Sequence, residues 1–96
     1  MVIKTITTSP ATTALITGGT LRDIKTITVS NFSDNTADAR FDLYYKQGAT
    51  DAYIIKNCMI PKGATLVFDK GYYVPPEWSL FCYSTGTAPA ITVIIQ

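Results

Sequence analysis

The side chains available for chemistry are few: seven carboxylates, two cysteines and no histidine. Without histidine the commonest general base and metal ligand is missing, and a serine nucleophile has no imidazole to activate it. Glu77 is the only glutamate. Asp42 and Asp69 fall in strand-like segments, nothing in their spacing pairs them, and acids at such positions are expected to be solvated. Gly18-Gly19-Thr20 lacks both the spacing of a phosphate-binding loop and a lysine before the threonine, so it reads as a turn. The acidic stretch Asp34-Asn35-Thr36-Ala37-Asp38 offers oxygen ligands for calcium but lacks the glycine and distal glutamate of an EF-hand loop. Its Asx residues are expected to cap their own backbone. Cys58 and Cys82 are expected to be free and buried, with a cross-strand disulfide as the alternative. No catalytic residue, cofactor site or metal site is therefore expected, and the chain reads as a non-enzyme.

The remaining chemistry is aromatic. Tyr72, Tyr73, Trp78 and Tyr83 gather around Pro75-Pro76. Three readings are open. The rings could form a lid on the core. They could form a contact patch for another protein, because Tyr and Trp carry much of the energy at interfaces. They could form a platform on which a sugar ring stacks.

The elements that must hold these rings are strands. Thr, Val, Ile, Tyr and Phe dominate and suit a pleated surface. Between Ile60 and Ser84 the chain is punctuated by Pro61-Lys62-Gly63, Lys70-Gly71 and Pro75-Pro76-Glu77. Strands are expected at Val2 to Ser9, Thr13 to Thr17, Ile24 to Asn31, Ala39 to Lys46 and Ala52 to Lys56. More follow at Ala64 to Asp69, Tyr72 to Val74, Trp78 to Ser84 and Ala90 to Gln96, with Gln47 to Asp51 a loop. Seven to nine short strands in one domain spanning 1–96 predict a small antiparallel β-sandwich, Ig-like or jelly-roll-like. In Ala39 to Lys46, Phe41, Leu43 and Tyr45 point one way and Arg40, Asp42, Tyr44 and Lys46 the other, so one face is buried and the other wet or in contact with a partner. Leu66, Phe68 and Phe32 are also assigned to the core. Ile91 to Ile95 carries no charge and no proline and would make a hazardous free edge. It is expected to be protected, either paired on both sides within the sandwich or completed by a strand from a neighbouring subunit, with Val2 to Ser9 as the expected intramolecular partner.

Charge narrows the partners. The net charge is +1, the charged residues are scattered, and no basic face suited to nucleic acid stands out. No apolar run approaches the roughly 20 residues of a membrane helix, and the first residues do not form a secretory signal, so synthesis in a cytoplasm is expected. Only 16% of residues are charged, and fifteen threonines supply much of the polar surface. Soluble domains average about 25% charged. That thin cover suggests a surface largely engaged by other protein.

The order of elements resembles a group of small virion proteins of tailed bacteriophages. The matching segments are Ile24-Lys25-Thr26-Ile27-Thr28-Val29-Ser30-Asn31-Phe32-Ser33, then Ile60 to Leu66 (Ile-Pro-x-Gly-x-Thr-Leu), then Ser79-Leu80 followed by the alternating strand Ile91 to Ile95. Together they span most of the chain. One departure is plain: such proteins often carry Gly-Asp before the Ser-Leu, whereas here Glu77-Trp78 follows two prolines. The resemblance implies a structural role in a particle. The leading form is a capsid decoration, or cement, protein on the outer surface of the shell; a neck, tail, baseplate or fibre component is the alternative. It implies the major capsid protein or other virion proteins as partners, further copies of the chain within the particle, and a virion location after assembly in the host cytoplasm. A glycan-binding module for host attachment is a second alternative.

Overall fold

Alternation along the central strands builds the core. In β10 (Ile91–Ile95) Ile91, Val93 and Ile95 are buried, and in β4 (Ile27–Asn31) Ile27, Val29 and Asn31 are. β5 (Ala39–Gln47) turns Ala39, Phe41 and Leu43 inward, and β9 (Ser79–Gly86) turns Leu80, Cys82 and Ser84 inward. Side chains two apart share a face, so each strand presents an apolar row to the opposite sheet. A computed structural model describes residues 1–18, 22–32, 38–86 and 90–96. Most of the acidic stretch weighed above for calcium, 34–37, and Gly19-Thr20 lie outside the described residues.

Two antiparallel four-stranded sheets face each other. One is ordered β1-β10-β4-β7, with β1 at Val2–Ile6 and β7 at Thr65–Phe68. The other is ordered β2-β9-β5-β6, with β2 at Ala11–Ile16 and β6 at Thr50–Ile60. A short pair, β3 (Arg22–Ile24) with β8 (Tyr72–Val74), forms a third sheet and adds Ile24 and Val74 to the core.

The pairings nest: β1 with β10, β2 with β9, β3 with β8, β4 with β7, β5 with β6. The chain is in effect one long hairpin, rolled so that β10 also meets β4 and β9 also meets β5. This is a jelly roll. It decides between the two architectures left open by the sequence, because an immunoglobulin sandwich pairs several strands that follow one another. Here, among the described residues, β5 and β6 are the only consecutive strands that pair. The expected protection of the C-terminal strand holds: β10 is paired on both sides, and β1 is one partner, from Val2↔Ile95 to Ile6↔Ile91.

Several expectations need correction. The segment read as one strand from Ile24 to Asn31 is two, divided where the N–H groups of Lys25 and Thr26 both donate to the Gln96 carbonyl at 2.7 and 3.1 Å. The expected loop at Gln47 to Asp51 is a tight turn, with Gly48 at φ 58°, so β6 starts earlier and runs further than predicted. Phe32 is 50% exposed rather than core, because Asn31 occupies the inward position and the next side chain must point out. Asp42 is 2% exposed rather than solvated. β6 carries two bulges against β5, since Phe41↔Cys58, Leu43↔Ile55 and Tyr44↔Tyr53 leave one extra residue in each interval. At the first, between Ile55 and Cys58, Asn57 adopts φ 59° and its N–H donates to Asp42 Oδ1 at 2.7 Å, while Arg40 binds Oδ2 at 3.0 Å. The carboxylate is thus buried with both oxygens engaged. The bulges also spoil β6 as a template for another strand, which is how long edge strands avoid aggregation.

The candidate functional site

The turn after β8 is built to be stiff. Pro75 and Pro76 fix two successive φ angles, and Trp78 N–H donates to the Pro75 carbonyl at 3.0 Å, closing a four-residue turn. Gly18 lies underneath. Its N–H donates to Ser79 Oγ at 2.8 Å, and a Cβ there would approach the Trp78 and Pro76 carbonyls at 3.1 and 3.2 Å. A side chain there would crowd both carbonyls and force the turn to shift by a few tenths of an ångström.

On this turn the structure brings together two of the four aromatic residues singled out by sequence. Tyr73 is 51% exposed and Trp78 is half-buried; with Tyr45, Ala52 and Pro75 they line an open cleft of about 170 Å³. Tyr45, assigned to the core, is half-buried and forms one wall. Its ring meets Trp78 edge-on at 6.5 Å, and its hydroxyl donates to the Tyr73 carbonyl at 3.0 Å. Burial pushes the Tyr45 phenol pKa up, and the neighbouring Tyr72 adds to that. Ala52 is the register partner of Tyr45, so the cleft exists partly because the residue opposite the ring is small. None of the lining residues is charged.

The other two predicted residues are elsewhere. Tyr72 turns inward and packs against the core, because alternation in β8 sends Tyr73 out and Tyr72 in. Tyr83 lies on the outer face of the β2-β9-β5-β6 sheet, with the Arg40 guanidinium 5.6 Å from its ring centre. On that face a second aromatic group, missed by sequence, runs across three strands. Phe81, Tyr44 and Tyr53 are register neighbours, with ring centres 6.1 and 5.1 Å apart, and Lys56 Nζ sits 4.5 Å from the Tyr53 ring. Tyr44 is 6% exposed though it points away from the core, and burial is the main cause raising its phenol pKa. The signal was present in Tyr44, which alternation set on the outer face. What was absent was the pairing that brings Tyr53 and Phe81 beside it.

Both cysteines are free. Cys82 is fully buried, which pushes its thiol pKa up to about 12 against the opposing effect of a hydrogen bond with Thr13. It is therefore no nucleophile near neutral pH. Among the described residues, no three His, Cys, Asp or Glu side chains gather where a metal ion could sit. A larger depression of about 460 Å³ follows the crossover from β1 to β2 and is lined mainly by threonines, together with Lys4.

No protein-family model matches the sequence, and no curated protein matches it. Among solved structures, the CBM22-1 xylan-binding domain from Paenibacillus barcinonensis Xyn10C is similar at 15% identity and a TM-score of 0.37. The match covers 91% of this chain and 60% of that one.

Proposed function

We propose that the chain is a non-enzymatic structural protein of a tailed-phage virion, a decoration protein that docks on the outer surface of the capsid shell through the aromatic cleft. The observation that carries this reading is the chemistry of the cleft. Tyr73 and Trp78 present apolar surface on a proline-stiffened turn, so little ordering entropy is lost on binding. No charged side chain lines the site, and the Tyr45 hydroxyl is already committed to the Tyr73 carbonyl. A sugar needs a few well-placed polar partners beside its stacking ring, whereas an apolar side chain of a protein needs none. The cleft therefore suits a protein contact better than a glycan.

The resembling motifs support the scaffold rather than the contact. Asn31 in the first motif and the Ile60 to Leu66 segment meet in one clasp. Asn31 Nδ2 donates to the Ile60 carbonyl at 2.9 Å, Gly63 N–H donates to the Asn31 carbonyl at 2.7 Å, and Asn31 N–H donates to the Ala64 carbonyl at 3.0 Å. These residues hold the turn between the two sheets. The aromatic turn is where this chain departs from the resemblance, so it is where a contact of its own belongs.

The test is occupancy on purified particles with Tyr73→Ala and Trp78→Ala. Both variants should fold, by circular dichroism, and both should leave the particle. Full occupancy of Tyr73→Ala would refute the docking site. A map with copies on every capsomer supports decoration, copies confined to one vertex would replace it with a neck or tail role, and binding on a glycan array lost in Trp78→Ala would replace it with host attachment.

A further inference from the structure

Among the described residues, the paired strands of the β1-β10-β4-β7 sheet place no charged side chain on its outer face. Cross-strand register sets Ile3, Ile94, Thr28 and Val67 side by side across all four strands. Next to them runs a hydroxyl row, Thr5, Thr92, Ser30 and Thr65. Ile3 and Val67 are 59% and 61% exposed, and the Ser30 and Thr65 hydroxyls bond each other at 3.1 Å. The opposite outer face differs: Arg40, Lys46, Asp51 and Lys56 surround its rings. The chain is thus two-sided, with one neutral, aliphatic-and-hydroxyl sheet face and one charged, aromatic face.

We propose that the neutral face is a contact between two copies of this chain, packed sheet against sheet. The charge pattern favours this occupant. Two such faces meet without placing any charge in the interface, whereas a charged partner would lose hydration with nothing here to pair it. A two-fold contact also brings like residues together, which the neutral face tolerates and the charged face does not. The hydroxyls that are already bonded to each other cost less to desolvate. Small Thr and Ser side chains let facing sheets approach to the usual spacing of about 10 Å.

Area sets the strength. Four strands about 4.8 Å apart, each contributing five residues at about 3.3 Å, span roughly 300 Å² in projection. Two copies would then bury roughly 600–900 Å² once side-chain relief is included, below the 1,200–2,000 Å² of stable complexes. The contact is therefore weak in dilute solution and matters where copies are held close together. It forms in solution whether or not the chain docks on a shell, so its test is separate from that of the cleft.

The experiment is analytical ultracentrifugation of the full chain from about 10 μM to about 1 mM. The average mass should climb above the 10.5 kDa monomer at the upper end. High salt should leave the association unchanged or stronger, because no ion pair is screened. Ile94→Lys and Thr28→Lys point outward, should keep the wild-type circular dichroism spectrum, and should each weaken association at least tenfold. Val67→Lys on an edge strand is a third variant with the least risk to folding. Tyr53→Ala on the other face should change nothing. A monomer at every concentration overturns the proposal. So does a dimer that survives the three lysine variants, or one lost with Tyr53→Ala or dispersed by salt.

Discussion

Replacing Asn31 by alanine tests the clasp that joins the two sheets. Asn31 is 1% exposed, and its side chain donates to the Ile60 carbonyl at 2.9 Å. Alanine keeps the backbone bonds to Gly63 and Ala64 but removes the amide. The Ile60 carbonyl loses that donor in a buried place, a loss of about 1–3 kcal/mol. The vacated volume adds a cavity term, bringing the expected cost to about 2–4 kcal/mol. In a domain of this size each kcal/mol lowers the melting temperature by roughly 4–8 °C, so a drop of about 10–25 °C is expected. Asn31→Leu fills most of the space without the bond and should recover the cavity part alone, leaving a loss of about 1–3 kcal/mol. Thermal melts followed by circular dichroism read both. A drop below about 4 °C in Asn31→Ala would refute the reasoning and show that the backbone bonds hold the turn unaided.

Other changes test the cleft, the core and the thiol. Ala52→Phe puts a ring opposite Tyr45; it should close the cleft and reduce particle binding at least tenfold with stability nearly unchanged, because Ala52 is exposed, and retained binding would mean that the cleft is not the contact. Val93 is fully buried, with Lys4 as its register neighbour, so Val93→Lys should leave no cooperative melt; a folded protein would contradict the inward assignment. The Cys82 pKa is raised on folding, so its contribution is fully present below the thiol's unfolded value of about 8.5 and is lost as pH rises toward about 12. Wild type should therefore lose more stability than Cys82→Ala between about pH 8.5 and pH 10, by at most about 1.4 kcal/mol per unit, and equal losses in denaturant titrations would show that the thiol is not so shielded.

What could be read in the sequence, and what could not, follows the distance over which the cause acts. β10 was legible to within one residue at each end because Ile91, Val93 and Ile95 alternate with Thr92 and Ile94, and its lack of charge demanded that its edges be covered. β5 was legible for the same reason. Asp42 was misread because its burial depends on an extra residue in the facing strand: without the bulge at Asn57 its carboxylate would have no backbone N–H to accept from and only Arg40 as a partner, and solvation would be the better guess. The cleft was half legible. Proline spacing located the turn and two of its rings, but Tyr45 and Ala52 enter it only through the register of β5 with β6, and that register is shifted twice before it reaches the other end. Tyr72 and Tyr73 make the same point within one dipeptide: adjacency suggested a shared patch, and the pleat sent one to the core and the other to the surface. Alternation within a strand thus decides which side chains can share a face, while long-range register decides which of them meet. Both candidate contacts of this protein, the aromatic cleft and the neutral sheet face, are products of register. That is why neither could be assembled from the order of residues alone, and why variants chosen by register partner, such as Ala52 against Tyr45 or Thr28 beside Ile94, are the ones that discriminate.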